Sequence, residues 1–120
     1  MPLMLTPKRG DIVRVRLDPV EGSEQAGERP ALVISPDVIN QNCPVILVAA
    51  ITSKKTHRVF PFEVLVDPPE GKLQLRSKIM LMHLRSIDKR RLTGRYGSVS
   101  EQTMRRVEHA LQVAAGMIPM

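Results

Sequence analysis

The sequence predicts an α+β fold in which a small, strongly bent antiparallel sheet is followed by a single helix. Three features predict it. RGDIVRVRLDP alternates apolar and charged residues, as a half-buried strand does; ALVIS and PVILVAAIT are short apolar runs rich in β-branched residues; and the C-terminal residues follow the helical period. At 120 residues, without internal repeat or linker, the chain is predicted to be one domain over residues 1–120.

Five or six short strands are predicted in order. Pro61 within RVFPFEVLV indicates an edge strand or a bulge, because proline cannot donate to a ladder. SPDVINQNCP and DPPEGK carry turn residues and are interpreted as connections. The strands are predicted at Ile12–Leu17, Ala31–Ser35, in PVILVAAIT, around RVFPFEVLV, in SKIMLMHLRSI, and at Leu92–Gly97.

The stretch SEQTMRRVEHALQVAAGMI predicts an amphipathic C-terminal helix. Two start points fit: Ser100 as the N-cap, or Ser98 with Glu101 in a capping box. The residues expected to face the core are Met104, Val107, Leu111, Ala114, Ala115 and Ile118.

The charge favours a polyanionic partner. Eighteen Lys and Arg against twelve Asp and Glu give a net charge of +6, which fits a nucleic acid or simply a well-solvated surface. A single cysteine, Cys43, excludes an internal disulfide and suits a reducing compartment. The longest apolar run, VILVAAI, is far below the ~20 residues that span a bilayer, and Met1–Pro7 lacks the preceding charges of a signal peptide. We therefore expect a cytoplasmic protein without a membrane contact.

Metal and nucleotide sites are not indicated. His57, His83 and His109 match no ligand spacing, and there is no second cysteine. GSEQAG lacks both the strand–glycine–helix context of a dinucleotide fingerprint and the Lys and Ser/Thr of a phosphate loop. No metal and no cofactor are predicted.

The loop GSEQAGERP is the first candidate site. It carries a carboxylate, Glu24, and a guanidinium, Arg29, between glycines that allow tight turns, and Pro30 fixes the chain directly after the arginine. A guanidinium binds phosphodiester oxygens and stabilises the charge that develops when phosphorus is attacked. The alternative is an exposed loop with a surface ion pair.

Two further polar groups follow apolar strands. Thr52 and Ser53 close VILVAAIT beside Lys54, where their hydroxyls either bond a phosphate or start a turn. In HLRSIDKRR, Arg85 adds positive charge, and His83 either stacks on a base or is structural.

These motifs together resemble the MazF/PemK/Kid family of toxin endoribonucleases, and the Bacillus-type members most. The likeness runs from RGDIVRV through GSEQAGERPALVIS, VAAITSK and LRSIDKRRL to EHALQVAAGM, with GSEQ-x-G-x-RP the most diagnostic part. The resemblance implies an SH3-like barrel, a two-fold dimer, an acidic MazE-like antitoxin as partner, and metal-independent, sequence-specific cleavage of single-stranded RNA, by which such toxins inhibit translation.

The resemblance also implies a mechanism in which the ribose 2′-hydroxyl attacks the adjacent phosphorus, giving a 2′,3′-cyclic phosphate and a 5′-hydroxyl. It makes Arg29 the principal catalytic residue and Thr52 its partner, with Glu24 in support. A guanidinium with a pKa above ~12 is a poor base, so Glu24 is the candidate base and Arg29 the charge stabiliser. The residues implied or expected to touch RNA are Ser23, Gln25, Ser53, Lys54, His83 and Arg85.

One departure and two alternatives remain. Where many relatives carry Gln in an LxQxR segment this chain has His83, so base preference is not transferable. The first alternative is a CcdB-like toxin that poisons gyrase by binding; those proteins use a tryptophan near the C-terminus, and this chain has none. The second is an SH3-like nucleic-acid-binding module without catalysis.

Overall fold

The structure, a computed structural model, describes residues 6–16 and 27–120. It contains six strands and a long C-terminal helix, which confirms the α+β, mainly β class. The strands are β1 Asp11–Arg16, β2 Glu28–Val33, β3 Val45–Thr52, β4 Glu63–Val66, β5 Ser77–Asp88 and β6 Leu92–Ser98. The helices are α1 Asp37–Asn42 and α2 Glu101–Ala114, with short 3₁₀ turns at Glu70–Lys72 and Lys89–Arg91.

All six strands belong to one antiparallel sheet in the order β4-β5-β3-β2-β1-β6. Within the described residues the sheet does not close into a ring, so the expected barrel takes the form of a bent open sheet with β4 and β6 at its edges. The pairing of β3 with β5 is interrupted: Ala49 pairs with Leu84 and the next residue, Ala50, pairs with Met80. The residues of β5 between those partners form a bulge, and bulges bend the strand that carries them.

The central strands are buried on both faces, which explains their continuous apolar runs. One cluster packs between the sheet and α2 and includes Ile12, Leu32 and Val107. Because side chains alternate along a strand, the neighbours of these strand residues point to the opposite face and form a second cluster. That cluster contains Val13, Val15, Ala31, Val33, Ile46, Val48 and Ile87.

Helix α2 confirms one of the two predicted starts. Ser100 is the N-cap, and its Oγ accepts a hydrogen bond of 3.1 Å from the backbone N–H of Thr103. The predicted inner face is confirmed at Met104 and Val107, which are buried. The prediction is wrong at Ala115 and Ile118, since the helix ends at Ala114.

Two segments differ from prediction. The stretch after Ser35, expected to be a turn, forms α1 and buries Asn40, whose amide donates to the Ser35 carbonyl (2.9 Å) and accepts from the Ser35 hydroxyl (2.6 Å). Strand β2 begins at Glu28 rather than Ala31, because pairing with β1 extends it toward the loop: Arg16 pairs with Glu28. The predicted end of β1 at Leu17 lies outside the described residues.

No helix in the described ranges is long and apolar enough to cross a membrane.

Candidate active site

The adjacent ends of β2 and β3 bring Arg29 and Thr52 together. Ala31 pairs with Ala50 in the antiparallel ladder, and the same register continued by two residues sets Arg29 opposite Thr52. Directly opposite residues share a face, so both side chains project on the side of the second apolar cluster. Two residues that are distant in the sequence thus become neighbours at one end of the sheet.

Two open pockets meet at this pair. The smaller, about 200 Å³, has an apolar floor that includes Val15 and Val48, and Arg29, Thr52 and Arg85 lie at its polar positions. The larger, about 360 Å³, continues past the ends of the strands. Its polar lining residues are Arg29, Thr52, Ser53, Lys54, Lys72, Gln74, Ser77 and Tyr96. Arg29 and Thr52 line both pockets, so they mark the junction between the two.

The Thr52 hydroxyl takes part in a turn and still has a proton to give. The side chain is half-buried, and its Oγ1 accepts a 3.1 Å hydrogen bond from the backbone N–H of Lys54. The Thr52 hydroxyl therefore does start a turn, which was one of the two roles considered from the sequence. A hydroxyl that accepts one hydrogen bond can still donate its own O–H, so Thr52 retains a donor for an anionic ligand.

Arg29 is exposed and rises from a paired strand. Its partner across the ladder is Val15 of β1, and Pro30, which follows, is paired with Arg14. The backbone of Arg29 is thus fixed by strand β2, which begins one residue earlier at Glu28, and not only by the proline that follows.

A second arginine, Arg14, is linked to the larger pocket through Tyr96 and was not predicted from the sequence. Arg14 Nε lies 3.2 Å from a carboxylate oxygen of Glu28 and 3.3 Å from Thr93 Oγ1, and its guanidinium carbon is 5.9 Å from the ring centroid of Tyr96. Tyr96, the only tyrosine of the chain, in turn lines the larger pocket. In the sequence, Arg14 stood out only as one of the charged residues that alternate with apolar ones in β1. Its neighbours Thr93 and Tyr96 come from β6, which pairs with β1 in the fold.

The remaining predicted residues divide into three groups. Ser53 and Lys54 line the larger pocket and Arg85 the smaller one. His83 is exposed on the bulged part of β5 and lines neither. The loop residues Ser23, Glu24 and Gln25 lie outside the described residues. Across residues 6–16 and 27–120 no three His, Cys, Asp or Glu side chains gather as a metal site would require.

Comparison with known proteins gives the same family along nearly the whole chain. The family model of the PemK-like, MazF-like toxin of type II toxin–antitoxin systems matches residues 8–115. The endoribonuclease EndoA of Bacillus subtilis (strain 168) is 40% identical over 111 residues, which cover 92% of this chain and 96% of that protein.

Solved structures agree in fold. A MazE–MazF crystal structure (Form-II) from Deinococcus radiodurans has a TM-score of 0.78 and 28% identity, covering 95% of this chain and 99% of that one. An endoribonuclease from a mycobacterial species has a TM-score of 0.77 and covers 99% of both chains; at 23% identity it supports the fold alone. The chain belongs to the PemK-like, MazF-like family of toxins of type II toxin–antitoxin systems.

Proposed function

We propose that this chain, an endoribonuclease of the MazF-like toxins, cleaves single-stranded RNA at a short recognised sequence, with the reaction centred on Arg29 and Thr52. The observation that supports the proposal is that Arg29 and Thr52 line both pockets, just beyond the last paired residues of β2 and β3, Ala31 and Ala50. One domain, residues 1–120, is the acting unit, and the site of action is the cytoplasm, where the RNA is.

The nucleophile belongs to the substrate. The ribose 2′-oxygen loses its proton and bonds to the adjacent phosphorus, and the bond from phosphorus to the 5′-oxygen of the next nucleotide breaks. That oxygen takes up a proton, which leaves a 2′,3′-cyclic phosphate and a 5′-hydroxyl. DNA lacks the 2′-hydroxyl, so the reaction is specific to RNA. The step needs neither a metal nor a protein nucleophile.

The side chains stabilise charge and move the proton. Arg29 donates hydrogen bonds to the non-bridging oxygens, whose negative charge grows as phosphorus is attacked. Thr52 donates its hydroxyl to the same phosphate while its oxygen remains bonded to the turn. Glu24 is the proposed base, since the guanidinium of Arg29 holds its protons too tightly. Ser53, Lys54 and Arg85 extend the binding surface along the two pockets.

The proposed partners are a second copy of the chain and an acidic antitoxin of the MazE type. Apolar side chains on β5 stay exposed, Met82 by 59% and Leu84 by 37%, which suits a subunit contact. The net charge of +6 suits an acidic, partly disordered segment laid across the RNA surface.

The test is cleavage of a long single-stranded RNA in EDTA by purified wild type, Arg29→Ala and Arg29→Lys, with cut ends mapped by primer extension and tested for 5′-hydroxyls. We expect discrete cuts by the wild type and at least ~100-fold slower cleavage by Arg29→Ala, the typical effect of removing one stabilising donor. Lysine keeps the charge but not the forked geometry, so Arg29→Lys should recover only part of the rate.

Two further variants sharpen this test. Thr52→Ser keeps the hydroxyl and should cleave nearly as well as the wild type, whereas Thr52→Val should not. Arg105→Ala is the matched control, because Arg105 is an exposed arginine on α2, away from both pockets. Full activity of Arg29→Ala would refute the assignment of the site. RNA that is bound but never cut would favour the non-catalytic binding module.

A further inference from the structure

The connection between β3 and β4, residues 53–62, carries an aromatic pair that the mechanism above does not use. Both phenylalanines of the chain, Phe60 and Phe62, lie in it. Their rings stack with centroids 5.3 Å apart and planes inclined by 7°. Phe60 is nevertheless 40% exposed. Phe60 is therefore a partly exposed aromatic residue whose ring orientation is fixed by Phe62, and the Lys78 ammonium lies 6.0 Å from its ring centroid.

A buried ion pair holds this loop in place. Lys78 Nζ lies 3.0 Å from Glu63 Oε1, and the two side chains are only 6% and 9% exposed. The same ammonium donates to the carbonyl of Arg58 (2.9 Å), and Glu63 Oε1 accepts from the backbone N–H of Phe60 (3.1 Å). Burying two charges is costly unless their remaining hydrogen bonds are satisfied, and here those bonds go to the loop backbone. The position of Phe60 is thus set by the core of the sheet.

The loop returns on the same face as the candidate active site. Lys78 is the β5 partner of Thr52 on one side and of Leu65 on the other. Paired residues share a face, so the Lys78 side chain projects beside the Thr52 hydroxyl, on the side toward which Arg29 also points. Because the Lys78 ammonium also binds the carbonyl of Arg58, the loop is held to the strand position that pairs with Thr52.

The charge of the loop matches a phosphate chain. Lys54, Lys55 and Arg58 are exposed, and the sequence has no Asp or Glu between Thr52 and Glu63, which is itself paired. The Arg58 guanidinium carbon is 5.8 Å from the Phe60 ring centroid. Proteins bind single-stranded nucleic acids with cationic side chains that follow the phosphate backbone and aromatic rings on which bases stack. Stacking tolerates any sequence because every base has a π-face.

From these contacts we propose that Phe60 forms a base-stacking subsite for single-stranded RNA, adjacent to the Arg29–Thr52 junction, with Arg58 binding the neighbouring phosphate. This rests on the proposed function and adds to it a second, sequence-tolerant contact with the same strand. The stack on Phe62 and the Lys78–Glu63 pair preorganise the ring, so the RNA meets a surface that is already ordered.

The absence of tryptophan from the chain gives a direct test. Phe60→Trp introduces one fluorophore, and titration with an RNA whose 2′-hydroxyl at the cut site is replaced by hydrogen measures binding without cleavage. We expect strong quenching as a base stacks on the indole. The matched control is Val59→Trp, one residue away and similarly exposed at 41%, for which quenching should be weak.

A second measurement uses RNAs shortened one nucleotide at a time from each end of the cut sequence. In the wild type, affinity should fall by about tenfold when the stacked nucleotide is removed, the size of one base–aromatic stack. Leucine has a similar apolar volume but no π-face. In Phe60→Leu, removal of that nucleotide should therefore no longer lower the affinity, while the cleavage sequence stays the same. Thermal unfolding of each variant confirms that it is folded, and Phe60→Tyr should restore that fall in affinity.

The outcomes separate the two proposals. Cleavage by the wild type, loss of cleavage in Arg29→Ala and an unchanged length dependence in Phe60→Leu would overturn the subsite and leave the function standing. Equal quenching in both tryptophan variants, or quenching by an acidic peptide but not by RNA, would also overturn the subsite. Neither binding nor cleavage of any RNA by the wild type would overturn the function itself.

Discussion

At the scale of single residues, we propose His83 as a side chain that sets base preference without taking part in the chemistry. It is exposed on the bulged part of β5, two residues before Arg85, which lines the smaller pocket. A neutral imidazole has its hydrogen-bond donor and acceptor on two separate ring nitrogens, whereas the glutamine amide has both on one planar group. The two side chains therefore form hydrogen bonds with different patterns of base atoms.

We therefore predict that His83→Gln still cleaves RNA but at a different set of sequences. The relative rates at preferred and non-preferred sites should change by about tenfold, the discrimination expected of one good base contact. Sequencing of all cut ends from a mixed RNA pool measures this. Arg105→Ala, the exposed position on α2 used above, is the control. An identical site preference in wild type and His83→Gln would rule out a base contact.

Some residues that line the two pockets were predicted from the sequence and others were not. Arg29 and Thr52 were proposed because each lies in a short recognisable motif, GSEQAGERP or VAAIT, beside or at the end of a predicted strand. Lys78 was not, since in SKIMLMHLRSI it is one polar residue of an apolar strand. Only the register with Thr52 and the contact with Arg58 give it a role, and both depend on residues far away in the sequence.

At the scale of elements, the start of α2 is stabilised from outside the helix. The backbone N–H of Ser100 donates a 3.0 Å hydrogen bond to Glu70 Oε2, from the 3₁₀ turn at Glu70–Lys72. Partial burial alone would raise the pKa of Glu70, but hydrogen bonds from Thr103 and Ser100 outweigh it and lower the pKa below the ordinary value of 4.5. The folded state therefore favours the charged carboxylate, which also faces the positive end of the helix dipole.

This gives a stability prediction with a defined sign. Because the pKa is lower in the folded state, the stabilisation is present above the unfolded pKa and is lost as the pH falls through the folded one. Glu70→Gln should lower the free energy of unfolding at pH 7 by about 0.5–1 kcal/mol, a helix-terminus effect reduced by exposure to solvent. Urea unfolding at pH 7 and near pH 3 measures it, and the two proteins should converge at the acid end. A constant difference at both pH values would contradict the charge-based account.

Periodicity explains which elements were predictable. Strands β1, β3 and β5 and helix α2 have long regular patterns, and all were correctly identified. Helix α1 spans only Asp37–Asn42, too short for a helical period to stand out among turn residues. Strand β2 extends back to Glu28 because β1 pairs with it, a tertiary effect that its own charged residues and Pro30 do not indicate.

At the scale of the whole molecule, the order of the strands in the sheet could not be predicted from hydrophobic periodicity. Nothing in the sequence pattern places β6 beside β1, or β5 between β3 and β4, yet these two pairings bring Tyr96 near Arg14 and Lys78 beside Thr52. The strand and helix patterns predicted the α+β class, and the family resemblance added the SH3-like architecture. The two apolar clusters then divide the molecule into a face that α2 covers and a face that leaves the Arg29–Thr52 junction open.

The two proposed kinds of RNA contact, phosphate binding by a cation and base stacking on Phe60, should differ in how they depend on salt concentration. Each phosphate neutralised by a Lys or Arg releases counterions, so the logarithm of the affinity falls with the logarithm of the salt concentration by about 0.7 per phosphate on a single strand. Stacking of a base on Phe60 releases no counterions and should not contribute to that slope.

We therefore predict that Arg29→Ala and Phe60→Leu weaken binding of the 2′-deoxy-substituted RNA in distinguishable ways. Arg29→Ala should reduce the salt slope by about 0.7, the loss of one phosphate contact, so its deficit shrinks as salt rises. Phe60→Leu should shift the whole line to weaker affinity by about tenfold without changing its slope. Fluorescence anisotropy from 50 to 400 mM KCl, roughly the range in which such slopes are linear, measures both. An unchanged slope in Arg29→Ala would mean that this guanidinium does not contact a phosphate, and a reduced slope in Phe60→Leu would mean that the ring acts by positioning Arg58 rather than by stacking on a base.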